Sequence, residues 1–541
     1  MLHLKNESVK KMKVHKILSG ILAAVLLSGC GMPEMSFDNA DSPIFREDSR
    51  KESRESTEKK DSSKPSLPDD GEAAESKAAQ GMTESGKPES GKTESSDTES
   101  TKTDSRKTEP EKIYEDPASA SALTFSRTVT AKDGKTSTEL FAISTETNEI
   151  SPEYEKLNRA LKEIPEGEAL PVRADTNVVS LIIREEPGST ELSSVNIDTE
   201  TGNFLTISDI FSDTDKLASA LKTQYGEDYP DLPALTAEEL DPEQYIWTLS
   251  PDGCIFYFPD PEKKEIVNRT LLLRSANKDL FREKGTSVPN SAARVFEINE
   301  DHIFDRDSDG TADRIRVSAN PVEGLYKKAE VTLNGQSAQC YFTAFTVDRI
   351  VPVVMKTGDG CWLYLACEDS KGPGNIAVFD ISKDIPENMG IPTGNTGIPY
   401  LAGEDGWTEI LPGDPEAFLL ESTVDLITSF PAVTEYKMDA EGLPKQTGEV
   451  YMAFGDTVLE SLLKLKADLI DPDTGEPVEK SRTFKEGSRW TVLRSDGETY
   501  IEFDVNGEGL VRLTGNPSEG WPKKIGGAAA DTLFKKVSDN S

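Results

Sequence analysis

One loop carries the clearest arrangement of residues that could do chemistry. Residues 305–313 read DRDSDGTAD, with carboxylates at loop positions 1, 3, 5 and 9 and a glycine at position 6. Oxygen ligands at this spacing, with a backbone carbonyl at position 7, suit a hard cation of calcium's size. Carboxylates this close repel one another without a counter-ion, so we predict a structural Ca²⁺ site. The predicted ligands are Asp305, Asp307, Asp309, Thr311 and Asp313.

The residue at the twelfth position of the loop differs from that of an EF-hand. Arg316 stands there, where an EF-hand has a bidentate glutamate. The loop instead resembles the calcium loops of integrin-type β-propeller blades, in which the aspartate at position 9 completes the ligand set. The motif occurs once and no repeat of about 40 to 50 residues accompanies it, so a propeller is not expected. An acidic, solvated turn without an ion is the alternative.

A second residue with distinct chemistry is Cys30. Four lysines lie within residues 10–16, and an apolar run from Ile17 to Leu27 follows that is too short to span a bilayer as a mature helix. With Leu27-Ser28-Gly29-Cys30 after it, the segment resembles a bacterial lipoprotein signal. The resemblance implies that residues 1–29 are removed, that Cys30 receives a diacylglycerol, and that the protein is held at the extracytoplasmic face of the cell membrane. An ordinary secretory signal with an incidental cysteine is the alternative.

Histidine content limits the classes of enzyme that the chain can be. His3 and His15 precede Cys30, which leaves His302 alone in the mature protein. One histidine cannot build a site with two or three histidine ligands, and we expect His302 to be a solvated loop residue. Nucleophile-elbow, H-E-x-x-H and P-loop motifs do not occur. We predict a protein that is not an enzyme, with a cell-wall hydrolase that uses paired carboxylates as the alternative.

Four cysteines follow Cys30 in apolar, strand-like surroundings. Cys361 and Cys367 would stand about 20 Å apart on an extended strand, so they cannot bond each other. A disulfide from Cys340 to either of them is the bridge we expect in an exported protein. Buried free thiols, including Cys254, are the alternative.

The charge of the chain favours cationic partners. The formal net charge is −38, of which residues 119–541 carry −33. Such a field repels nucleic acid and attracts cations and basic proteins. We therefore exclude nucleic-acid binding.

Composition and periodicity divide the chain into five parts. Low-complexity sequence rich in Ser, Thr, Glu and Lys cannot bury a core, and the sequence after it changes from mixed helix and strand patterns to strands alone. The fold class predicted is α+β. The parts are a signal peptide (1–29), the lipidated cysteine with a disordered acidic linker (30–118), an α+β domain (119–287), a β-rich sandwich or small barrel with the acidic loop (288–395), and a C-terminal β-rich domain (396–541).

The α+β prediction depends on two helices between strands. Tyr154, Leu157, Leu161 and Ile164 form one apolar face after Ser151-Pro152, and a second helix is predicted over residues 215–225. Late in the chain, Asp496-Gly497 and Asn506-Gly507 predict two tight hairpins, and a short helix is predicted over residues 528–537.

A motif at residues 195–211, VNIDTETGNFLTISDIF, carries a second resemblance. It is similar to an uncharacterised extracytoplasmic domain family found in the ectodomain of a lysozyme-sensing anti-sigma factor and beside some polysaccharide deacetylases. The resemblance covers residues 120–285 and implies protein recognition at the envelope without a catalytic residue. Ile197 stands where the family prefers Phe. The matching residues are Asn196, Asp198, Thr201-Gly202, Leu205-Thr206-Ile207, Asp209 and Ile210-Phe211.

The last hairpins are distantly similar to bacterial SH3 domains over about 60 residues, although Gly509-Leu510 replaces the usual Gly-Trp.

These features together predict a lipid-anchored extracytoplasmic binding or sensing protein. Its expected ligand is a basic protein such as lysozyme, or peptidoglycan. A purely structural envelope component is a third class that the sequence leaves open.

Overall fold

A computed structural model describes the chain from residue 120 to residue 537. The predicted signal peptide, the lipidation site Cys30 and the linker predicted at 31–118 lie outside the described residues. None of the helices in the described part is long and apolar enough to span a membrane. Within this range the structure does not describe residues 133, 187–188, 264–266, 343–345, 370–371, 394–395, 473 and 516–523.

The described chain is mostly β-structure, and helices are confined to a few short segments and one longer one. Residues 120–287 contain the longer helix. Their elements are β1 (Thr124–Lys132), β2 (Lys135–Ile143), a 3-10 helix (Pro152–Tyr154), α1 (Glu155–Leu161), β3 (Glu168–Ala174), β4 (Val178–Arg184), β5 (Leu192–Asp198), α2 (Ile207–Ile210), α3 (Thr214–Asp228), a 3-10 helix (Pro242–Gln244), β6 (Ile246–Leu249), β7 (Gly253–Pro259), β8 (Val267–Leu273) and α4 (Glu283–Thr286).

Both predicted helices are confirmed, because each buries the apolar face read from the sequence. Leu157 and Leu161 of α1 are buried among residues of the antiparallel sheet β3-β4-β5. Leu217, Leu221 and Tyr225 of α3 are buried against the antiparallel sheet β6-β7-β8. The Asp213 side chain caps α3 by accepting the backbone N–H groups of its first turn.

The motif at residues 195–211 is a structural element in this part of the fold. Gly202 has φ +74°, and a Cβ there would come 2.8 Å from the Lys156 carbonyl oxygen, so the turn requires glycine. Asp198 accepts the Thr201 N–H, and Asp209 forms a capping box with Thr206 at the start of α2. Both aspartates therefore act as turn and cap residues.

Most strands of residues 288–395 form two antiparallel sheets that share one core, and a separate two-stranded pairing accompanies them. The sheet orders are β10-β11-β14-β15 and β19-β18-β17-β16-β9. Phe304, Ile315 and Val331 of the first sheet pack with Leu363 and Phe379 of the second. The strands are β9 (Ala292–Val295), β10 (Asp301–Phe304), β11 (Asp313–Ser318), β12 (Pro321–Val322), β13 (Leu325–Tyr326), β14 (Lys328–Leu333), β15 (Gln336–Tyr341), β16 (Arg349–Lys356), β17 (Cys361–Asp369), β18 (Gly372–Asp380) and β19 (Glu387–Thr393).

The C-terminal part is built around a twelve-stranded sheet whose core centres on Trp490. Both predicted hairpins are confirmed, as β30 to β31 and β31 to β32. The elements are β20 (Thr396–Gly397), β21 (Tyr400–Gly403), β22 (Gly406–Leu411), β23 (Phe418–Asp425), β24 (Ser429–Met438), β25 (Pro444–Gln446), β26 (Tyr451–Ala453), β27 (Val458–Ser461), β28 (Leu465–Ile470), β29 (Pro477–Phe484), β30 (Arg489–Ser495), β31 (Tyr500–Val505), β32 (Leu510–Thr514), β33 (Lys524–Ile525), β34 (Ala528–Ala529), α5 (Ala530–Leu533) and β35 (Phe534–Lys536).

The helix predicted over residues 528–537 is wrong except for the single turn α5. β35 follows that turn and pairs with β27, which places Phe534 in the core beside Trp490. Burial of that aromatic ring therefore outweighs the local helix preference.

One sheet joins strands that are far apart in the sequence. β1 lies between β2 and β22, and β21 completes the order β2-β1-β22-β21. Phe125 of β1 is paired with Leu411 of β22. This long-range pairing joins the first strand of the described chain to the part that begins near residue 396.

Candidate metal centre

The acidic loop connects β10 to β11, and the pairing of these strands fixes where its two ends lie. Phe304 pairs with Asp313, so Asp305 and Asp313 emerge side by side from the sheet. Carboxylate oxygens of Asp305, Asp307 and Asp313 all lie within 4.8 Å of one another. Asp305 and Asp313 are buried and Asp307 is exposed. The hairpin therefore brings together three of the four predicted carboxylate ligands.

Asp309 and Thr311, the other two predicted ligands, lie outside this group. Asp309 accepts the Thr311 N–H at 2.7 Å, and its own N–H donates to Asp307 at 3.2 Å. These bonds shape the turn of the loop. Ligation by Asp309 and by the Thr311 carbonyl stays a prediction.

The two oxygens of the Asp305 carboxylate have different surroundings. Oδ2 accepts the Gly310 N–H at 3.1 Å, which is possible because Gly310 adopts φ +87°. Oδ1 is buried and has no hydrogen-bond partner among the described residues. Burial raises the pKa of Asp305, with the Lys356 ammonium acting in the opposite direction. An unpartnered buried carboxylate oxygen costs free energy that a bound cation would recover.

Arg306 connects the loop to the segment between β18 and β19. Its Nε donates to Asp313 at 3.1 Å, while its other nitrogens donate to the Ile381 carbonyl at 3.2 Å and to Asp384 at 2.9 Å. Asn334 also donates to Asp313, at 2.7 Å. Asp313 is thus held by two side chains that sequence reasoning missed. The Asn-Gly hairpin signal at 334–335 marked a turn and gave no indication of this bond.

Two further residues contact Asp305 through its backbone. The Asp305 N–H donates to Asp252 Oδ2 at 3.3 Å, and its carbonyl accepts from the Lys356 Nζ. Lys356 also donates to Asp252 Oδ1 at 2.9 Å. Asp252 belongs to the β6–β7 turn and Lys356 ends β16, so three separated segments meet at this residue.

His302 lies just before the loop but is buried at 4% exposure, so its predicted solvent exposure is wrong. Its ring stacks on Phe296 with centroids 4.2 Å apart, and its Nε2 accepts the Glu297 N–H at 3.0 Å. Burial, reinforced by Arg269 and Arg294, lowers the pKa of His302 well below its ordinary value. A neutral imidazole with these partners is part of the core.

All four described cysteines are buried free thiols. The bridge expected from Cys340 to Cys361 or Cys367 is not formed in the structure, and the alternative of buried thiols describes these residues. All three pack in the apolar core shared by the two sheets of residues 288–395, where burial raises the pKa of each thiol. They therefore act as small apolar side chains.

A second group of buried charges lies away from the loop, and we name it the arginine cluster: Arg127, Arg349, Glu368 and Glu409. Glu409 is fully buried and is ion-paired with both Arg127 and Arg349. Arg349 also pairs with Glu368 at 2.6 Å, and its guanidinium lies over the ring of Tyr400. The cluster joins β1 and β22 to β16 and β17, so it links two sheets through ion pairs, although the Oε1 of Glu368 has no hydrogen-bond partner among the described residues.

A surface cavity of about 240 Å³ bears on the alternative of a hydrolase. Its lining includes Glu166, Glu185 and Glu191, but Glu166 is paired with Lys135 at 3.1 Å. No aromatic side chain is among the residues that line this cavity. This cavity therefore offers no aromatic ring against which a sugar could stack.

Comparison with family models, curated proteins and solved structures gave no match to this chain.

Proposed function

We propose that this chain is a lipid-anchored extracytoplasmic binding protein whose folded part, an α+β domain followed by β-rich domains, is stabilised by Ca²⁺ at the β10–β11 loop. The observation that carries the cation proposal is the convergence of Asp305, Asp307 and Asp313 around a buried carboxylate oxygen without a donor. Arg306 offsets only part of the negative charge of the loop.

Calcium suits this loop better than other common cations. The converging ligand atoms are carboxylate oxygens, which hard cations prefer. The nearby Cys361 stays a neutral thiol because burial raises its pKa, so it offers no thiolate to a softer metal. Ca²⁺ accepts irregular oxygen geometry, whereas Mg²⁺ demands a near-octahedral arrangement.

A basic partner is supported by charge. Residues 119–541 carry a formal charge of −33, which speeds the encounter with a cationic protein and weakens as salt screens it. The resemblance of residues 120–285 to a family with a lysozyme-sensing member points to lysozyme as the first ligand to test. Peptidoglycan is the second.

The anchor is supported by the lipoprotein-like segment that ends at Cys30. Two or three acyl chains contribute on the order of 0.8 kcal/mol per buried CH₂, which is enough to hold a soluble domain at a membrane. Cys30→Ala should release the protein from the membrane fraction. Retention of that variant in the membrane fraction would contradict lipidation at Cys30.

Calorimetry tests the cation. The purified chain should take up one Ca²⁺, and Asp307→Ala combined with Asp309→Ala should weaken uptake by at least a hundredfold. Asp359→Ala, in an exposed turn elsewhere, is the matched control and should bind as the wild type does. Uptake that is absent in the wild type, or unchanged in the double variant, would remove the cation proposal.

Binding of lysozyme at low salt tests the partner. We expect affinity that falls steeply between about 50 and 200 mM salt, because the attraction is long-range and screened. Failure to detect binding at low salt would remove lysozyme as the ligand and leave the other ligands of the binding class to be tested.

A further inference from the structure

The first ligand of the loop is held from outside the loop on both sides of its own backbone. The N–H of Asp305 donates to one oxygen of the Asp252 carboxylate, and the carbonyl of Asp305 accepts from the Lys356 ammonium. Lys356 closes the ring by donating to the other oxygen of Asp252. Both peptide groups that flank the Asp305 Cα are therefore bonded to one partly buried ion pair.

This ion pair helps to set the direction of the Asp305 side chain, together with the bond from the Arg306 N–H to Asp313 at 3.1 Å. Peptide planes on both sides of a Cα set its φ and ψ, and these set the direction of the Cβ. The Asp252 and Lys356 side chains are only 10% and 19% exposed, so solvent screens their pairing weakly. The unpartnered Asp305 Oδ1 is thereby held in the group that includes Asp307 and Asp313.

We infer that Asp252 and Lys356 are positioning residues of the cation site, and that cation binding fastens the β6–β7 turn and the end of β16 to the β10–β11 loop. The inference rests on the proposed Ca²⁺ site. Because coupling between two events is reciprocal, contacts that strengthen cation binding are themselves strengthened by the cation. Outer contacts that orient metal ligands typically contribute 10- to 100-fold to affinity.

A substitution of Lys356 distinguishes a positioning role from a purely electrostatic effect on the cation. An ammonium close to the site repels a divalent cation, so removing it should tighten binding if charge alone acts. If Lys356 instead holds Asp305 in place, removing it should weaken binding. Asp252 does not discriminate in this way, since loss of its negative charge weakens binding under either account. Arg274 and Arg294 also lie within electrostatic reach of Asp252 and are unchanged in both variants.

The experiment measures Ca²⁺ affinity of the full chain by calorimetry. We expect Asp252→Asn and Lys356→Met each to weaken binding about tenfold, and the double variant to be no weaker than about thirtyfold because both changes break one ring. Asp405→Asn and Lys132→Met are the matched controls. They remove an ion pair of 3.1 Å whose side chains are more than half exposed, and they should leave affinity unchanged.

Amide hydrogen exchange supplies a readout that a change in charge alone would not move. Ca²⁺ should slow exchange at least tenfold in the β6–β7 turn (residues 250–252) as well as in residues 305–313 of the wild type. In Asp252→Asn the slowing should persist in the loop and disappear in the turn.

The failures of the two proposals are distinguishable. A wild type that binds no Ca²⁺ overturns the cation site and this inference together. A wild type that binds Ca²⁺, combined with a Lys356→Met variant that binds it equally or more tightly, overturns the inference alone. Exchange in the turn that is independent of Ca²⁺ overturns the fastening in the same way.

Discussion

The β10–β11 loop and the arginine cluster both bury carboxylates, but they differ in what neutralises them. In the cluster, Glu409 is fully buried and is paired with two arginines from different strands. In the loop, Asp305 is buried to a similar degree, and its Oδ1 has no partner among the described residues. Glu409 therefore has its counter-charges within the protein, whereas Asp305 leaves room for one from solution.

The pKa shifts of Glu409 and Asp305 follow this difference. Burial raises the pKa of Glu409, but Arg127 and Arg349 outweigh burial and the pKa is lowered overall. Burial raises the pKa of Asp305, and Lys356 offsets only part of that effect. Pairing with two arginines indicates a structural role for Glu409. Glu368 in the same cluster also has an unpartnered oxygen, Oε1, so an unpartnered oxygen alone does not mark a binding site. What indicates a site at Asp305 is that its unpartnered oxygen lies in a group with two further carboxylates, those of Asp307 and Asp313. The four predictions below test that distinction.

The largest effect is expected in the arginine cluster. Arg349→Met leaves Glu368 and Glu409 buried without their shared counter-ion, which should lower the free energy of unfolding by about 3 to 5 kcal/mol. Urea denaturation at pH 7 measures it. A loss below about 1 kcal/mol would mean that the cluster does not depend on internal pairing.

The loop should respond to the cation instead. Ca²⁺ at a hundred times its Kd should raise the free energy of unfolding by about 2.7 kcal/mol, since it binds the folded state. Asp305→Asn should remove this gain, while Arg349→Met should lower stability and retain the gain. Thermal unfolding with and without Ca²⁺ measures both. If Ca²⁺ stabilised Asp305→Asn and the wild type equally, the loop would not differ from the arginine cluster in its dependence on a cation.

Glu421 is a third case, because it is buried with neither an arginine nor a cation site. It accepts the Tyr400 N–H at 3.0 Å, and burial raises its pKa to about 7. The folded state then binds its proton more tightly than the unfolded state, so this group destabilises the protein progressively as pH rises from about 4.5 to about 7. Glu421→Gln should therefore gain about 3 kcal/mol at pH 8 and almost nothing at pH 4.

Unfolding measured at both values of pH tests the prediction for Glu421. Glu368, whose pKa burial also raises to about 7, is unchanged in the variant and keeps part of the pH dependence of the wild type. A variant that is no more stable than the wild type at pH 8 would contradict the assigned cost of this carboxylate.

The smallest effect is expected for an exposed pair. Lys132→Met removes the partner of Asp405, and both side chains are more than half exposed. Stability should change by no more than about 0.5 kcal/mol, measured by urea denaturation. A larger loss would show that burial is not what separates the clusters from surface pairs.

The features that could be predicted from the sequence are those that depend on residues close together in the chain. The spacing of the loop aspartates, the apolar faces of α1 and α3 and the two late hairpins are local patterns, and the structure contains them. The mostly β character of the chain after residue 288 was readable in the same way. The helix expected near residue 530 failed because a distant strand, β27, competes for the same backbone.

Partners distant in the sequence could not be predicted. Arg127 and Glu409 are 282 positions apart, and Asp252 and Lys356 are 104 apart. No local pattern signals such pairs in a chain that is rich in charges. The burial of His302 is not predictable from the sequence for a related reason. Its acidic neighbours in the sequence are typical of a solvated segment, whereas distant parts of the chain pack on both faces of β10.

The position of β1 between β2 and β22 has a mechanical consequence. A force that pulls on the chain from the side of residue 120 runs along the axis of β1 and loads its hydrogen bonds to two antiparallel neighbours in shear. These bonds must then break nearly together, instead of opening one at a time from an end. The placement of β1 between two partners therefore strengthens the fold against tension applied from the side of residue 120.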